Sequence, residues 1–173
     1  MTIEELKALV RDVPDFPTEG IVFKDLMPLI GNGEAFHATI ELLAEWAGPR
    51  SPDIILGAEA RGFIFGGALA YELGCGFVPA RKPGKLPYKT VTERYALEYG
   101  DDGLQLHQDA VGHGDRVLIV DDLLATGGTA EATAKLVTKL GGEVVGFSFL
   151  ISLDFLPGRE RLGREKVCAL LSY

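Results

Sequence analysis

The sequence predicts an α/β fold built on a central, mostly parallel sheet flanked by helices on both faces. Three observations carry that prediction. Short, mainly apolar runs recur at 53–56, 76–80, 115–120, 143–151 and 166–171, each of strand length. Segments of helical period separate several of them, an alternation that builds parallel strand–helix–strand units. At 173 residues the chain suits one domain with a substantial core.

Taken in order, the first helix is expected over Thr2 to Arg11, where Ile3, Leu6, Leu9 and Val10 share a face and Thr2 with Glu5 makes a capping box. Asp12 to Pro17 is too rich in Pro and Asp to continue it. Phe36, Ile40, Leu43, Ala44 and Ala47 mark a second amphipathic helix over Glu34 to Ala47. A strand over Asp53 to Leu56 leads to a helix over Gly62 to Leu73, in which Gly66 and Gly67 suit close packing better than ligand binding. Gly76 to Ala80 is the next strand. Tyr88 to Leu106 alternates like a hairpin standing off the core, with Gly100-Asp101-Asp102-Gly103 as its turn. Asp115 to Val120 is a strand and Glu131 to Leu140 a helix, with Glu131 and Lys135 placed to pair and Gly141-Gly142 as its stop. Glu143 to Ile151 and Lys166 to Leu171 complete the sheet. In such sheets ligands sit at the carboxyl ends of the strands.

Composition narrows the function. A net charge of −8 argues against a general nucleic-acid binder, which needs a broad basic face. No apolar run has the length of a membrane span, and Met1-Thr2-Ile3-Glu4-Glu5 does not read as a signal peptide. Cys75 and Cys168 lack metal-ligand spacing and read as buried, reduced thiols, so the expected compartment is the cytoplasm. Against the acidic background, Arg81, Lys82, Lys85 and Lys89 crowd into a Pro- and Gly-marked excursion with no intervening acid, which suits an anion.

The most informative run is Val117 to Ala130. A β-branched strand reaches two carboxylates, Asp121 and Asp122, and is followed by Thr126, Gly127, Gly128 and Thr129 at the start of a helix. Carboxylates can accept hydrogen bonds from vicinal ribose hydroxyls, while a Gly/Thr turn at a helix N-terminus offers N–H groups and hydroxyls to a phosphate. Many parallel strands end in Asp and a Gly-rich turn merely to reverse the chain. Adjacent acids are harder to explain that way, because they repel and need donors or a cation. Neither the G-x-G-x-x-G dinucleotide spacing nor a G-x-x-x-x-G-K-[ST] phosphate loop is present.

This run resembles the signature of the type I phosphoribosyltransferases, and its Asp-Asp with Ala-Thr-Gly-Gly-Thr is similar to the adenine-using branch. The likeness extends to Phe16 through Asp25, Glu59-Ala60-Arg61-Gly62-Phe63, Val78 through Pro87 and Leu97-Glu98-Tyr99-Gly100, in the family's order. It implies the type I fold in one domain over 1–173, with a base-covering hood over 1–33 and a flexible hairpin lid over 81–106. It implies transfer of the phosphoribosyl group of phosphoribosyl diphosphate to adenine, giving AMP and diphosphate. The rivals are a transferase for another base and a non-catalytic sensor of phosphoribosyl diphosphate.

The resemblance also assigns residues. Ala125, Thr126, Gly127, Gly128 and Thr129 would cradle the 5′-phosphate, and Asp121 and Asp122 would hold the ribose hydroxyls or favour a cationic sugar. Glu59, Ala60, Arg61, Arg81, Lys82, Lys85 and Tyr99 would form the diphosphate site, with Gly62 letting backbone approach the anion. Val22, Phe23 and Lys24 would cover the adenine, although Phe23 equally suits a core position, and Lys24 stands where the family often has Arg. Glu98 would handle the proton at adenine N7 or N9, and together with Arg61, Asp121 and Asp122 makes up the catalytic group. Mg²⁺ is the implied cofactor, held mainly by substrate and water rather than by protein ligands. A homodimer is implied, with Arg81 and its neighbours near the interface.

Overall fold

The computed structural model describes residues 1–97 and 100–173. They divide into two compact units, Met1–Leu42 and Leu43–Tyr173.

In the first unit, α1 (Ile3–Ala8) is fixed by the expected box: the Thr2 hydroxyl accepts from Glu5 N at 3.2 Å, and the Glu5 carboxylate accepts from Thr2 N at 2.8 Å. The chain then forms an antiparallel pair, β1 (Arg11–Pro14) and β2 (Val22–Asp25), in register from Arg11↔Asp25 to Pro14↔Val22. Asp12 to Pro17 does not continue the helix, as expected, and its first residues enter this pair. Lys24 Nζ donates to Asp12 across the strands at 2.6 Å, and the Phe16 ring, beyond β1, meets Phe23 edge-on at 5.2 Å. A short α2 (Met27–Ile30) precedes α3 (Gly33–Ala47), whose start is tied by Ala35 N donating to the Asn32 side chain at 3.1 Å.

The second unit is built on five parallel strands in the order β4-β3-β7-β8-β9. These are β3 (Ile54–Ala58), β4 (Gly76–Ala80), β7 (Arg116–Leu124), β8 (Glu143–Ser152) and β9 (Val167–Ser172). Helices α4 (Gly62–Leu73) and α5 (Gly128–Leu140) connect them. Leu56, Val117, Leu118, Ile119, Leu136 and Val137 are fully buried, each stabilising the fold by roughly 1.5–3 kcal/mol. Gly66 serves close packing as expected: a Cβ there would stand 2.9 Å from the Phe77 ring and 3.4 Å from Gly57 Cα. Gly67 does not, since a Cβ there meets nothing within 4 Å.

Two expected boundaries are corrected. The motif strand does not stop at Val120; β7 stays paired with β8 as far as Leu124↔Ser152, so the acidic pair is part of the strand. Gly100 to Gly103 is not a turn either. β5 (Thr90–Leu97) and β6 (Gly100–His107) pair from Thr90↔His107 to Leu97↔Gly100, which places that segment in β6. Gly103 answers to crowding, because a Cβ there would lie 3.3 Å from Pro83 and 3.4 Å from the Glu93 carbonyl. A short α6 (Gly158–Leu162) between β8 and β9 had no clear periodic signal in so few residues.

Candidate active site

The site forms at the carboxyl ends of β3 and β7, where two strands deliver acidic residues and two helices begin. From Leu124 the chain turns through Ala125, Thr126 and Gly127, the last at φ +81°, and enters α5 at Gly128. A side chain at Gly127 would be strained by that backbone and would press on Gly158, whose carbonyl lies 3.3 Å from its Cβ position. The turn wraps a cavity of about 90 Å³ lined by Asp121, Leu123 to Ala130 and Phe149. The first N–H groups of α5 have no carbonyl partner within the helix, and the helix dipole adds partial positive charge at this end. A small anion fits both the space and the charge.

The two carboxylates beside the cradle have different surroundings. Asp122 is buried and accepts a hydrogen bond from Arg61 Nε, which crosses from the loop after β3. Asp121 Oδ1 accepts from Asp122 N at 2.9 Å. Burial and then the neighbouring Asp122 charge push the Asp121 carboxyl well above the ordinary carboxylate range, against the smaller opposing pull of that N–H and of Arg61. Gly62 is also required by packing. A Cβ there would stand 2.9 Å from both Asp121 Oδ1 and the Val120 carbonyl, so the glycine makes room for the acidic strand end.

Glu59 organises the basic excursion. Its carboxylate accepts from Arg81 Nε at 3.1 Å, from Lys82 N at 2.9 Å and from Lys85 Nζ. Burial raises its pKa, but the bonds from Arg81, Lys85 and the Lys82 backbone outweigh that and bring it down to about 2. The Arg81 backbone is paired in turn with Gln105 of β6, at 3.0 and 2.7 Å, and its guanidinium lies over the Phe63 ring. Arg81, the Lys82 backbone and Lys85, neighbours in the basic excursion, are thus gathered at the end of β3 by one acid. Ala60 stands between Glu59 and Arg61, exposed, and the Glu59–Ala60 peptide is cis.

Asp121, Asp122, Ala125 to Thr129, Glu59, Ala60, Arg61, Arg81, Lys82 and Lys85 therefore belong to the strand ends and loops of the second unit. Val22, Phe23 and Lys24 lie on β2 of the first unit, Val22 exposed, Phe23 against Phe16 and Lys24 against Asp12. Glu98 and Tyr99 lie outside the described residues. Sequence reasoning missed Leu123, Gly158, Arg161 and Tyr95. The Tyr95 hydroxyl lies 3.5 Å from Thr129 Oγ1, and Lys139 on α5 pairs with Glu93, tying β5 to the helix behind the cradle. An alternating apolar and polar pattern around Tyr95 gave no sign of that contact. Among the described residues no group of three or more His, Cys, Asp or Glu side chains could hold a metal.

The phosphoribosyl transferase domain model matches residues 30–166. The chain belongs to the phosphoribosyltransferase family. Its relatives in that family include the adenine phosphoribosyltransferase of Myxococcus xanthus, 56% identical over 171 residues that cover 99% of this chain and 93% of the relative. The adenine phosphoribosyltransferase of Thermotoga petrophila is 56% identical over 98% of this chain and 99% of its own. Among solved structures, the Thermoanaerobacter pseudethanolicus adenine phosphoribosyltransferase superposes with a TM-score of 0.96 at 53% identity, covering 99% and 100% of the two chains. The Saccharomyces cerevisiae enzyme, solved with an imino-altritol bisphosphate and adenine, gives 0.91 at 42% identity over 98% of each chain. The fold is that of the type I phosphoribosyltransferases. Among the described residues, no helix is long and apolar enough to cross a membrane.

Proposed function

We propose that this phosphoribosyltransferase transfers the 5-phosphoribosyl group of phosphoribosyl diphosphate to adenine, giving AMP and diphosphate in purine salvage. The observation that carries the reading is the junction of β7 and α5, where an acidic pair adjoins an anion cradle, in a chain that is 56% identical to adenine phosphoribosyltransferases along nearly its whole length.

In the reaction the bond from ribose C1′ to the diphosphate oxygen breaks and a bond from C1′ to adenine N9 forms. Positive charge develops on the sugar, so the protein must orient two substrates, neutralise the leaving group and exclude water. In our reading Ala125 to Thr129 hold the 5′-phosphate, and Asp121 and Asp122 face the ribose hydroxyls. The raised pKa of Asp121 bears on this role, because cationic charge arriving at the sugar favours its ionised form. Arg61 keeps Asp122 in place. Arg81, Lys82 and Lys85, gathered by Glu59, receive the diphosphate with Tyr99. Glu59 itself acts as the organiser of these cations, since a carboxylate repels the leaving group. Phe23, with Val22 and Lys24, covers the base, a stacking contact worth roughly 1–3 kcal/mol.

Mg²⁺ is assigned as cofactor. The carboxylates at the strand ends are engaged with Arg61, with backbone N–H and with the basic loop, so the ion would be held by substrate oxygens and water, where it offsets diphosphate charge. Glu98 is assigned the proton at N7 or N9. Glu98→Leu is expected to lower kcat by 10²-fold or more, at roughly the scale of a lost general acid, with much smaller changes in KM. Wild-type turnover in that variant would remove Glu98 from the mechanism. The cytoplasm as compartment and a homodimer as assembly complete the reading.

The decisive assay supplies phosphoribosyl diphosphate and Mg²⁺ with adenine, guanine, hypoxanthine, xanthine or orotate in turn. Diphosphate release with adenine alone is expected. Release with another base instead would change the substrate, and release with none would leave a binding protein.

A further inference from the structure

We propose that Arg161 on α6 is a positioning residue for the 5′-phosphate: it neutralises Glu131 in the first turn of α5 and keeps that helix end receptive to an anion. The inference rests on reading Ala125 to Thr129 as the 5′-phosphate cradle.

An acid in the first helical turn is ordinarily favourable, because it answers the positive end of the helix dipole. At α5 the same stabilisation comes into conflict with ligand binding, since a carboxylate and a phosphate compete for one region of positive potential. Glu131 is the acid in that first turn, and it follows Thr129 by only two residues. Left unpaired, its charge would oppose the phosphate directly.

Arg161 answers that charge with two donors. Its Nε and Nη2 both bond Glu131 Oε2, at 3.1 and 2.6 Å. The remaining nitrogen, Nη1, lies 3.7 Å from the point where a Gly128 Cβ would stand, and Arg161 Cδ lies 3.5 Å from the corresponding point at Gly127. The Arg161 side chain therefore backs the two glycines of the cradle, by its Cδ at Gly127 and its guanidinium at Gly128. Its position is set by the backbone of α6. Gly158, the first residue of that helix, is pressed so closely on the loop that a Cβ there would collide with the Ala125 carbonyl and would stand 2.8 Å from Leu124. A segment with no evident role in the sequence thus supports the cradle in two ways, by shape at Gly158 and by charge at Arg161. Lys135, another cation near Glu131, makes a single contact at 3.7 Å against the two shorter bonds from Arg161, and is the weaker partner.

Steady-state kinetics on the full chain tests this, with phosphoribosyl diphosphate and adenine varied separately. The forms compared are wild type, Arg161→Lys, Arg161→Ala and the double variant Arg161→Ala/Glu131→Gln. Arg161→Ala is expected to raise KM for phosphoribosyl diphosphate roughly tenfold, with kcat and the adenine KM within about twofold of wild type. Arg161→Lys should recover most of the loss. The double variant, which removes both charges, should return that KM to within about threefold of wild type. A purely structural brace predicts the reverse, a double variant at least as impaired as the single one, and that result overturns the proposal. So does an unchanged KM for phosphoribosyl diphosphate in Arg161→Ala. Absence of any transfer by wild type would instead overturn the reading of the cradle on which the proposal rests.

Discussion

Asp121 concentrates the electrostatic tension of the site. Burial, and then the charge of Asp122, raises its folded pKa above the unfolded value, so the native state holds this proton more tightly than the unfolded chain does. Its contribution to stability is accordingly best at low pH, and declines as pH rises from the ordinary carboxylate range through the raised folded value. Asp121→Asn keeps the shape and an oxygen for Asp122 N. It is expected to raise Tm at pH 7 by roughly 2–4 °C, the shift that about 1 kcal/mol brings in a domain of this size. It should also lower kcat by about 10²-fold if the charge acts on the sugar. Thermal melts and turnover measured on one preparation check both halves, and a variant that is neither stabilised nor slowed would contradict the assignment. Glu59 is the opposite case. Its folded pKa of about 2 lies below the ordinary carboxylate value of 4.5, so its stabilisation is complete above that value and is lost as pH falls toward 2. In Glu59→Gln, melts across that acid range should show a shallower fall in Tm than wild type. At neutral pH the variant should bind diphosphate more weakly, because Arg81 and Lys85 lose their common anchor.

Elements with a strong period were readable from the sequence, and α4 is the plainest case. Its limits, Gly62 to Leu73, follow from an apolar segment closed by Gly74 at φ +67°. The two glycines inside it separate by environment alone. Gly66→Ala forces a Cβ to 2.9 Å from the Phe77 ring, and should destabilise by about 1–3 kcal/mol, as overpacked cores do. Gly67→Ala meets nothing, and should stabilise by up to about 1 kcal/mol through helix propensity. Denaturant unfolding of the two variants checks the contrast, and equal effects would mean that the packing against Phe77 is not as described. Elements set by tertiary partners were not readable. The β1–β2 pair forms by register between distant segments that brings Lys24 opposite Asp12, and β6 absorbs a Gly-Asp-Asp-Gly that has turn composition but sits in a strand ladder. The candidate site shows the same division. Asp121, Asp122 and the Gly/Thr turn are contiguous and could be recognised as a unit. Arg161 and Gly158 reach the cradle from thirty or so residues away, and only the packing of α6 on the loop brings them there.

At the scale of the whole molecule, a chain of net charge −8 must receive a substrate with several negative charges. Local concentration of cations resolves this. Glu59 collects Arg81 and Lys85 at the end of β3, Arg61 crosses to Asp122 at the end of β7, and the start of α5 adds its dipole beside them. All three arrangements depend on strand ends that a parallel sheet brings to one side, which is why the acidic remainder of the surface does not prevent binding. In the proposed reaction β7 and the start of α5 form the ribose 5-phosphate half of a two-substrate site. A crystal structure of the protein with AMP tests that claim most directly. The phosphate is expected within the Ala125 to Thr129 turn, with the ribose hydroxyls against Asp121 and Asp122. A phosphate bound at Arg81 and Lys85 instead, with the turn empty, would contradict it.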